Sequence, residues 1–192
     1  MRHRVSIILA SASPRRKQLL VETGYKFRVV PPDIDETSFL ADDISSCEYT
    51  ERLALAKAKD VAEKYPDCLV IGADTVADLN GQIIGKPTDE KQAEQITVKL
   101  FREPHKVVTA VAIIRLSSQT EIVESDTTIV YPKKLTAEQI NAHVQSGCWQ
   151  GKAGAYAIQE SGDKFVKKIE GSLSNVMGLP MELLRRLLER VD

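Results

Sequence analysis

The chain has 192 residues, 43% of them hydrophobic, and sets 26 Lys and Arg against 27 Asp and Glu for a formal net charge of −1. That length suits one α/β unit spanning residues 1–192 with a substantial core. The even charge argues against a general binder of nucleic acid or acidic membrane, leaving room only for a local basic pocket.

Cys47, Cys68 and Cys148 form no CxxC pair and read as idle thiols of a reducing compartment. His3, His105 and His143 lack zinc-ligand spacing. The N-terminal MRHR-VSIILA-SAS imitates an export signal, but its apolar run is too short for one. No stretch approaches the roughly 20 apolar residues of a membrane span. The expectation is a cytoplasmic protein without membrane contact.

In chain order, Val5 to Ala10 is apolar and β-branched and predicts a buried strand. Ser13 stands at an N-cap position with Pro14 at the first helical position, and Gly24 supplies the stop. Two arginines in the first turn oppose the helix dipole unless an anion sits between them. Ser11, Ser13, Arg15 and Arg16 could therefore form a phosphate seat, or the arginines could be an ordinary solvated pair. Tyr25 to Val30 predicts a second strand, ended by Pro31-Pro32. Asp33 to Glu36 (DIDE) follows, either a solvated acidic loop or a divalent-metal site.

Glu48 to Tyr65 predicts a helix whose apolar arc contains Leu53, Ala54, Ala58, Val61 and Ala62. Lys57 points inside that arc. It either snorkels to solvent or carries its ammonium into a cleft to meet an anion. Cys68 to Val76 predicts a strand covered on both faces, interrupted by Asp74. A carboxylate there caps a turn or needs a lysine, a hydrogen-bond set or a metal.

Asn80-Gly81 predicts a hairpin over Ala77 to Gly85, and Lys86-Pro87 follows it. Thr88 is the expected cap of a helix from Asp89 to Phe101. Lys106 to Leu116 and Glu121 to Tyr131 predict two strands, and Thr136 caps a helix to about Ser146. Gly151 to Gln159 is small-residue-rich, open to close backbone approach by a ligand or simply a bulged strand. Phe165 to Ile169 predicts a strand, and Met181 to Val191 an amphipathic helix.

Six segments taken together carry a resemblance: LASASPRRKQLL, RLALAKA, IGADT, GKP, KAGAYAIQ and SNVMGLP. In this order, along nearly the whole chain, they resemble the Maf family of nucleotide pyrophosphatases. The resemblance implies an α/β fold with a mixed, elongated β-sheet flanked by helices and two lobes around a central cleft. It implies Asp74 as the catalytic carboxylate, and Glu36 with Asp74 as holders of a divalent cation, Mg²⁺ or Mn²⁺. Ser13, Arg15, Arg16, Lys57, Lys86 and Gln159 become the implied contacts of a nucleoside triphosphate. The Tyr-x-Ile-Gln form resembles the branch active on dTTP and UTP, and a homodimer is the assembly the family suggests. Phe101-Arg102-Glu103-Pro104 departs from the Ser-Gly expected there. The competing expectation is a non-catalytic nucleotide-binding regulator of septum formation, for which the phosphate clamp would serve equally well.

Overall fold

A computed structural model of the chain describes residues 6–39, 43–156, 158 and 165–191. The apolar run through Asp74 forms the central strand β3, Leu69–Leu79. It carries on through Ala77, so the predicted first hairpin arm is the end of β3 itself rather than a separate strand. Asn80 and Gly81 then turn with φ of 54° and 85°, the paired positive values of a type I′ hairpin, into β4, Gln82–Ile84.

Strands β1 (Ile7–Ala10) and β2 (Phe27–Val29) complete the parallel side, in the order β2-β1-β3. On the other side β5 (His105–Arg115), β6 (Thr120–Pro132) and β7 (Val166–Glu170) continue antiparallel, making one seven-stranded mixed sheet. Val5, the predicted start of the first strand, lies outside the described residues.

Alternation along β3 and β5 assigns the two faces. Leu9, Ile71, Ala73, Val111 and Ile113 pack under α1 (Pro14–Glu22) and the C-terminal helix, through Leu19, Leu20, Leu183, Leu184 and Leu187. Ile8, Val70, Ala110, Ala112 and Ile114 pack on the opposite face under α2 (Ser46–Lys64), through Ala54, Ala58, Val61 and Ala62. Ser45, not Glu48, marks the start of α2, its side chain accepting from the Glu48 N–H.

A further core lies around the far ends of β3 and β5, where Leu79, Ile84, Val107, Tyr156 and Phe165 meet Leu100 of α3 (Glu90–Leu100) and the following Phe101. Asp89, rather than Thr88, caps α3; Thr88 instead donates its N–H and hydroxyl to the Gln92 side chain. Helix α4 (Ala137–Gln145) starts with a full Thr136–Gln139 capping box, as its sequence predicts. A four-residue turn of helix, α5 (Leu173–Val176), precedes α6 (Met181–Leu188).

The register leaves a gap that decides where a ligand can enter. β1 pairs with β3 only as far as Ala10 opposite Gly72, and β4 joins the same edge at Ala77. Between these points, among the described residues, no strand pairs with residues 73–76 of β3 on that side, while β5 covers their other edge without a break. Side chains from both faces can turn into the same opening there.

Gly72 stands at its margin because nothing larger fits. A Cβ on Gly72 would lie 2.4 Å from the Ala54 carbonyl oxygen and 2.9 Å from the Ala58 Cβ. The small residues of α2 let the helix backbone settle onto the strand, and Lys57 comes down beside Asp74 as a result. Gly72→Ala should therefore destabilise the fold by about 1–3 kcal/mol, the scale of core overpacking. Denaturant unfolding checks this; an unchanged midpoint would mean that α2 can lift off β3 at no cost.

Candidate active site

The predicted helix start is built as a seat around Arg16. Ser13 is the N-cap of α1, accepting from the Arg16 N–H at 3.5 Å, and Ser11 Oγ accepts from the Ser13 N–H at 3.2 Å. The Arg16 guanidinium donates through Nε to the Gly178 carbonyl at 2.7 Å, through Nη2 to Thr75 Oγ1 at 3.0 Å and through Nη1 to Ser11 Oγ at 3.4 Å. Burial lowers its pKa from the ordinary arginine value, and the charges of Asp74 and Glu36 oppose that shift. Arg15 lines the same opening one residue earlier.

Beside this seat lies a chain of charges. Lys57 Nζ sits 2.6 Å from Asp74 Oδ1 and 2.7 Å from Glu36 Oε1. Lys86 Nζ reaches the other Glu36 oxygen at 3.1 Å. Lys57 is 4% exposed and Asp74 5% exposed, so the ammonium predicted inside the apolar arc of α2 does not snorkel out. Each charge of the buried pair has the other as its partner, and Glu36 takes a second bond from the ammonium.

Of the acidic DIDE loop only Glu36 lines the opening. The Asp33 N–H donates to Asp60 on α2, and Asp35 caps the short 3-10 turn Glu36–Ser38 through the Thr37 N–H and hydroxyl. Neither Asp33 nor Asp35 lines the opening. Partial burial raises the Glu36 pKa, but its bonds to Lys57 and Lys86 outweigh this and hold it down to about 2.

The far end of the opening is apolar, with Ala77, Val107, Tyr156, Ile158 and Val176 on its walls. The KAGAYAIQ stretch is no bulged strand where it is described. Residues Ala153–Ala155 form a 3-10 turn, with φ of 70° at Gly154 and 62° at Ala155. A Cβ on Gly154 would press to 3.0 Å from Leu100 and 3.2 Å from Ala77, which explains glycine at that position. Gln159, the predicted base-edge contact, lies outside the described residues.

The turn brings Tyr156 against His105, with 2.9 Å between the hydroxyl and Nε2. His105 Nδ1 faces the Leu100 carbonyl at 3.2 Å, which fixes the proton on Nδ1 and makes Nε2 the acceptor of the Tyr156 O–H. Burial lowers the His105 pKa, which keeps the ring neutral in this role.

The cleft encloses about 620 Å³, within the range of small-molecule sites. Among the described residues, Arg15, Arg16, Lys57, Lys86 and Lys152 line it against two carboxylates, Glu36 and Asp74. An excess of cations there, in a chain of net charge −1, selects an anionic ligand. Asp74 and Glu36, with phosphate oxygens and water, also make a hard oxygen donor set of the kind Mg²⁺ takes from one or two carboxylates plus substrate. No group of three or more His, Cys, Asp or Glu side chains that could by itself hold a metal ion occurs among the described residues. The donor set therefore fits a cation that arrives with a phosphate ligand, not a closed protein cage.

Fold and site together define a class, a mixed α/β protein with an anion-binding cleft at the open edge of its central strand. The Ham1 protein of Staphylococcus aureus shares the fold, with a TM-score of 0.58, 14% identity, and coverage of 97% of this chain and 100% of that one. The family model described as "Maf-like protein" matches residues 6–191, and the chain belongs to that family. A protein of Geotalea uraniireducens named dTTP/UTP pyrophosphatase is 45% identical over 191 residues, 97% of each chain. A protein of the same name from Citrifermentans bemidjiense is 45% identical over 176 residues, 92% of this chain and 90% of its own. Among the described residues no helix is long and apolar enough to cross a membrane.

The depressed Glu36 pKa makes a signed prediction. Its contribution to stability is present above the unfolded carboxylate range and is lost as pH falls through about 2. Wild type should melt above Glu36→Gln from about pH 7 to about pH 5, and the gap should close on going down toward pH 2. Paired melting curves across that range check it; a gap that widens with acid would mean that the link to Lys57 and Lys86 is not what holds the loop.

Proposed function

We propose that the chain is a nucleoside-triphosphate pyrophosphatase that hydrolyses the α–β phosphoanhydride of dTTP- and UTP-like nucleotides to the monophosphate and pyrophosphate. The observation that carries this reading is the buried Lys57–Asp74 pair, set among further cations in an open cleft. The names of the full-length relatives support the substrate class. A carboxylate retained in that setting serves hydrolysis, whereas simple anion retention would be weakened by it.

In this reading the triphosphate lies along Arg15, Arg16, Lys57 and Lys86, with the base toward the apolar end by Tyr156 and Val176. Ser13 holds the helix start in the form that lets Arg16 face the ligand. Asp74 and Glu36 would hold a divalent cation, Mg²⁺ or Mn²⁺, whose chemistry there is to neutralise phosphate charge. Asp74 orients a water molecule and takes its proton as the water oxygen bonds to the α-phosphorus. The bond from that phosphorus to the bridging oxygen breaks, and the oxygen leaves with pyrophosphate. Lys57, which donates to both carboxylates, can transfer one of those bonds to a phosphate oxygen and stabilise the developing charge. Gln159 is the proposed partner of the base edge.

Pyrophosphate release from a panel of triphosphates tests the function directly, with dTTP and UTP expected to lead. Release from none of them, with nucleotide still bound, would favour the non-catalytic regulator instead. Asp74→Asn should lower turnover by roughly 10²–10⁴, the range for positioned proton transfer, while a non-hydrolysable triphosphate still binds. The variant should also melt lower than wild type, because it removes one partner of a buried ion pair. Near-normal pyrophosphate release from folded Asp74→Asn protein would remove Asp74 from the mechanism.

A further inference from the structure

The Arg16 guanidinium is anchored by a path that extends well beyond the cleft. Nη2 donates to Thr75 Oγ1 at 3.0 Å, Thr75 Oγ1 lies 2.9 Å from Thr109 Oγ1, and Thr109 Oγ1 donates to the Asn175 carbonyl oxygen at 2.9 Å. The proton order along this path is fixed by its ends. Arginine has only donors, so Thr75 accepts from it; a backbone carbonyl only accepts, so Thr109 must donate to Asn175. Each hydroxyl has one proton, and the middle bond therefore runs from Thr75 to Thr109.

Thr109 and Asn175 are both fully buried, and neither lines the cleft. The carbonyl at the end of the path is itself held in place. Asn175 Nδ2 donates to the Val107 carbonyl and to Thr128 Oγ1, each at 2.9 Å, which ties α5 to β5 and β6. Among the described residues its Oδ1 is buried with no hydrogen-bond partner. The same turn of chain presents the Gly178 carbonyl that accepts from Arg16 Nε, so α5 and its exit hold two of the guanidinium's edges. Three of arginine's five N–H groups are engaged by these bonds and the one to Ser11, and Arg16 lines the cleft.

We infer that Thr109, acting with Asn175 through Thr75, is a positioning residue that fixes the plane of the Arg16 guanidinium for a phosphate. This rests on the pyrophosphatase reading for its kinetic arm only. In a low-dielectric setting a directed chain of hydroxyls polarises in one sense and resists rotation of the donor at its head. Orientation, more than charge, is what the path supplies, because the guanidinium stays cationic without it.

The test compares Thr109→Val with Thr109→Ser, each in the wild-type and the Arg16→Lys background. It reads KM and kcat for the preferred triphosphate, the melting temperature and, where Arg16 is retained, the exchange rate of its Nε–H by nitrogen-15 NMR. Thr109→Val keeps the shape and breaks the path; it should raise KM roughly tenfold with a smaller change in kcat and speed Nε–H exchange. Thr109→Ser should restore both, and the KM effect should vanish in the Arg16→Lys background. A Thr109→Val protein that melts lower yet keeps its KM and its Nε–H protection overturns the inference. So does an equal KM effect with Arg16→Lys. If valine prevents folding, Thr109→Cys, a weak donor of similar size, takes its place with the same readouts. Wild type that releases no pyrophosphate would count against the proposed function, and the exchange measurement would still decide the positioning role.

Discussion

A lysine ammonium and an aspartate carboxylate taken out of water together set the terms for the rest of this structure. Neither can be left alone at 4–5% exposure, since an unpaired charge at that depth costs several kcal/mol. Their separation must therefore be short, and 2.6 Å requires α2 to lie almost directly on β3. Gly72 and the alanines of α2 satisfy that requirement by leaving no side chain larger than a methyl group at the closest approach. Glu36 is then drawn in from its loop, because Lys57 has further donors to satisfy and one carboxylate cannot take them all.

Sheet topology explains why this pair meets solvent at all. In a fully paired sheet an aspartate in the middle of an 11-residue central strand would be sealed between layers. Here β1 stops opposite Gly72 and β4 begins only at Ala77, so the pair lies beside an unpaired stretch of strand edge. The gap also follows directly on the end of β1, where its chain turns through Ser11 to Ser13 into α1. Open α/β sheets place ligands outside the carboxyl ends of their parallel strands. In this fold that rule and the missing pairing select the same spot.

Sequence reasoning reached this site where local periodicity carried the information. Lys57 breaks an otherwise apolar helical arc, and Asp74 breaks an apolar strand; in each case the exception is visible against the pattern. Ser13 and Pro14 mark a helix start for the same local reason. Thr75, Thr109 and Asn175 could not be found that way. The three sit far apart in sequence, and a threonine in a strand is what β-propensity already predicts. Lys86 carries no local signal either, because its partner Glu36 is 50 residues away on a loop. The cap of α3 moved from Thr88 to Asp89 because two capping side chains stood next to each other, and helical periodicity cannot choose between them.

The unusual segment Phe101 to Pro104 bears on the apolar end of the cleft more than on its cationic end. A helix followed by glycine can end in a left-handed residue that satisfies its last carbonyls. Phe101, at φ −89° and ψ 10°, does not, and the Leu100 carbonyl takes its hydrogen bond from the His105 ring instead. That bond decides the histidine tautomer, which in turn makes His105 Nε2 the acceptor for Tyr156 on the cleft wall. Phe101 itself packs edge-on against Tyr156 with ring centroids 5.3 Å apart, and against Phe165 at 5.7 Å. Two contacts from one departure thus hold the same tyrosine ring, one by its hydroxyl and one by its face or edge. Among the described residues the Arg16 seat and the Lys57–Asp74 pair share no hydrogen bond with this cluster. A change at Phe101 should accordingly act first on the Tyr156 wall of the cleft and leave the Arg16 seat and the Lys57–Asp74 pair in place.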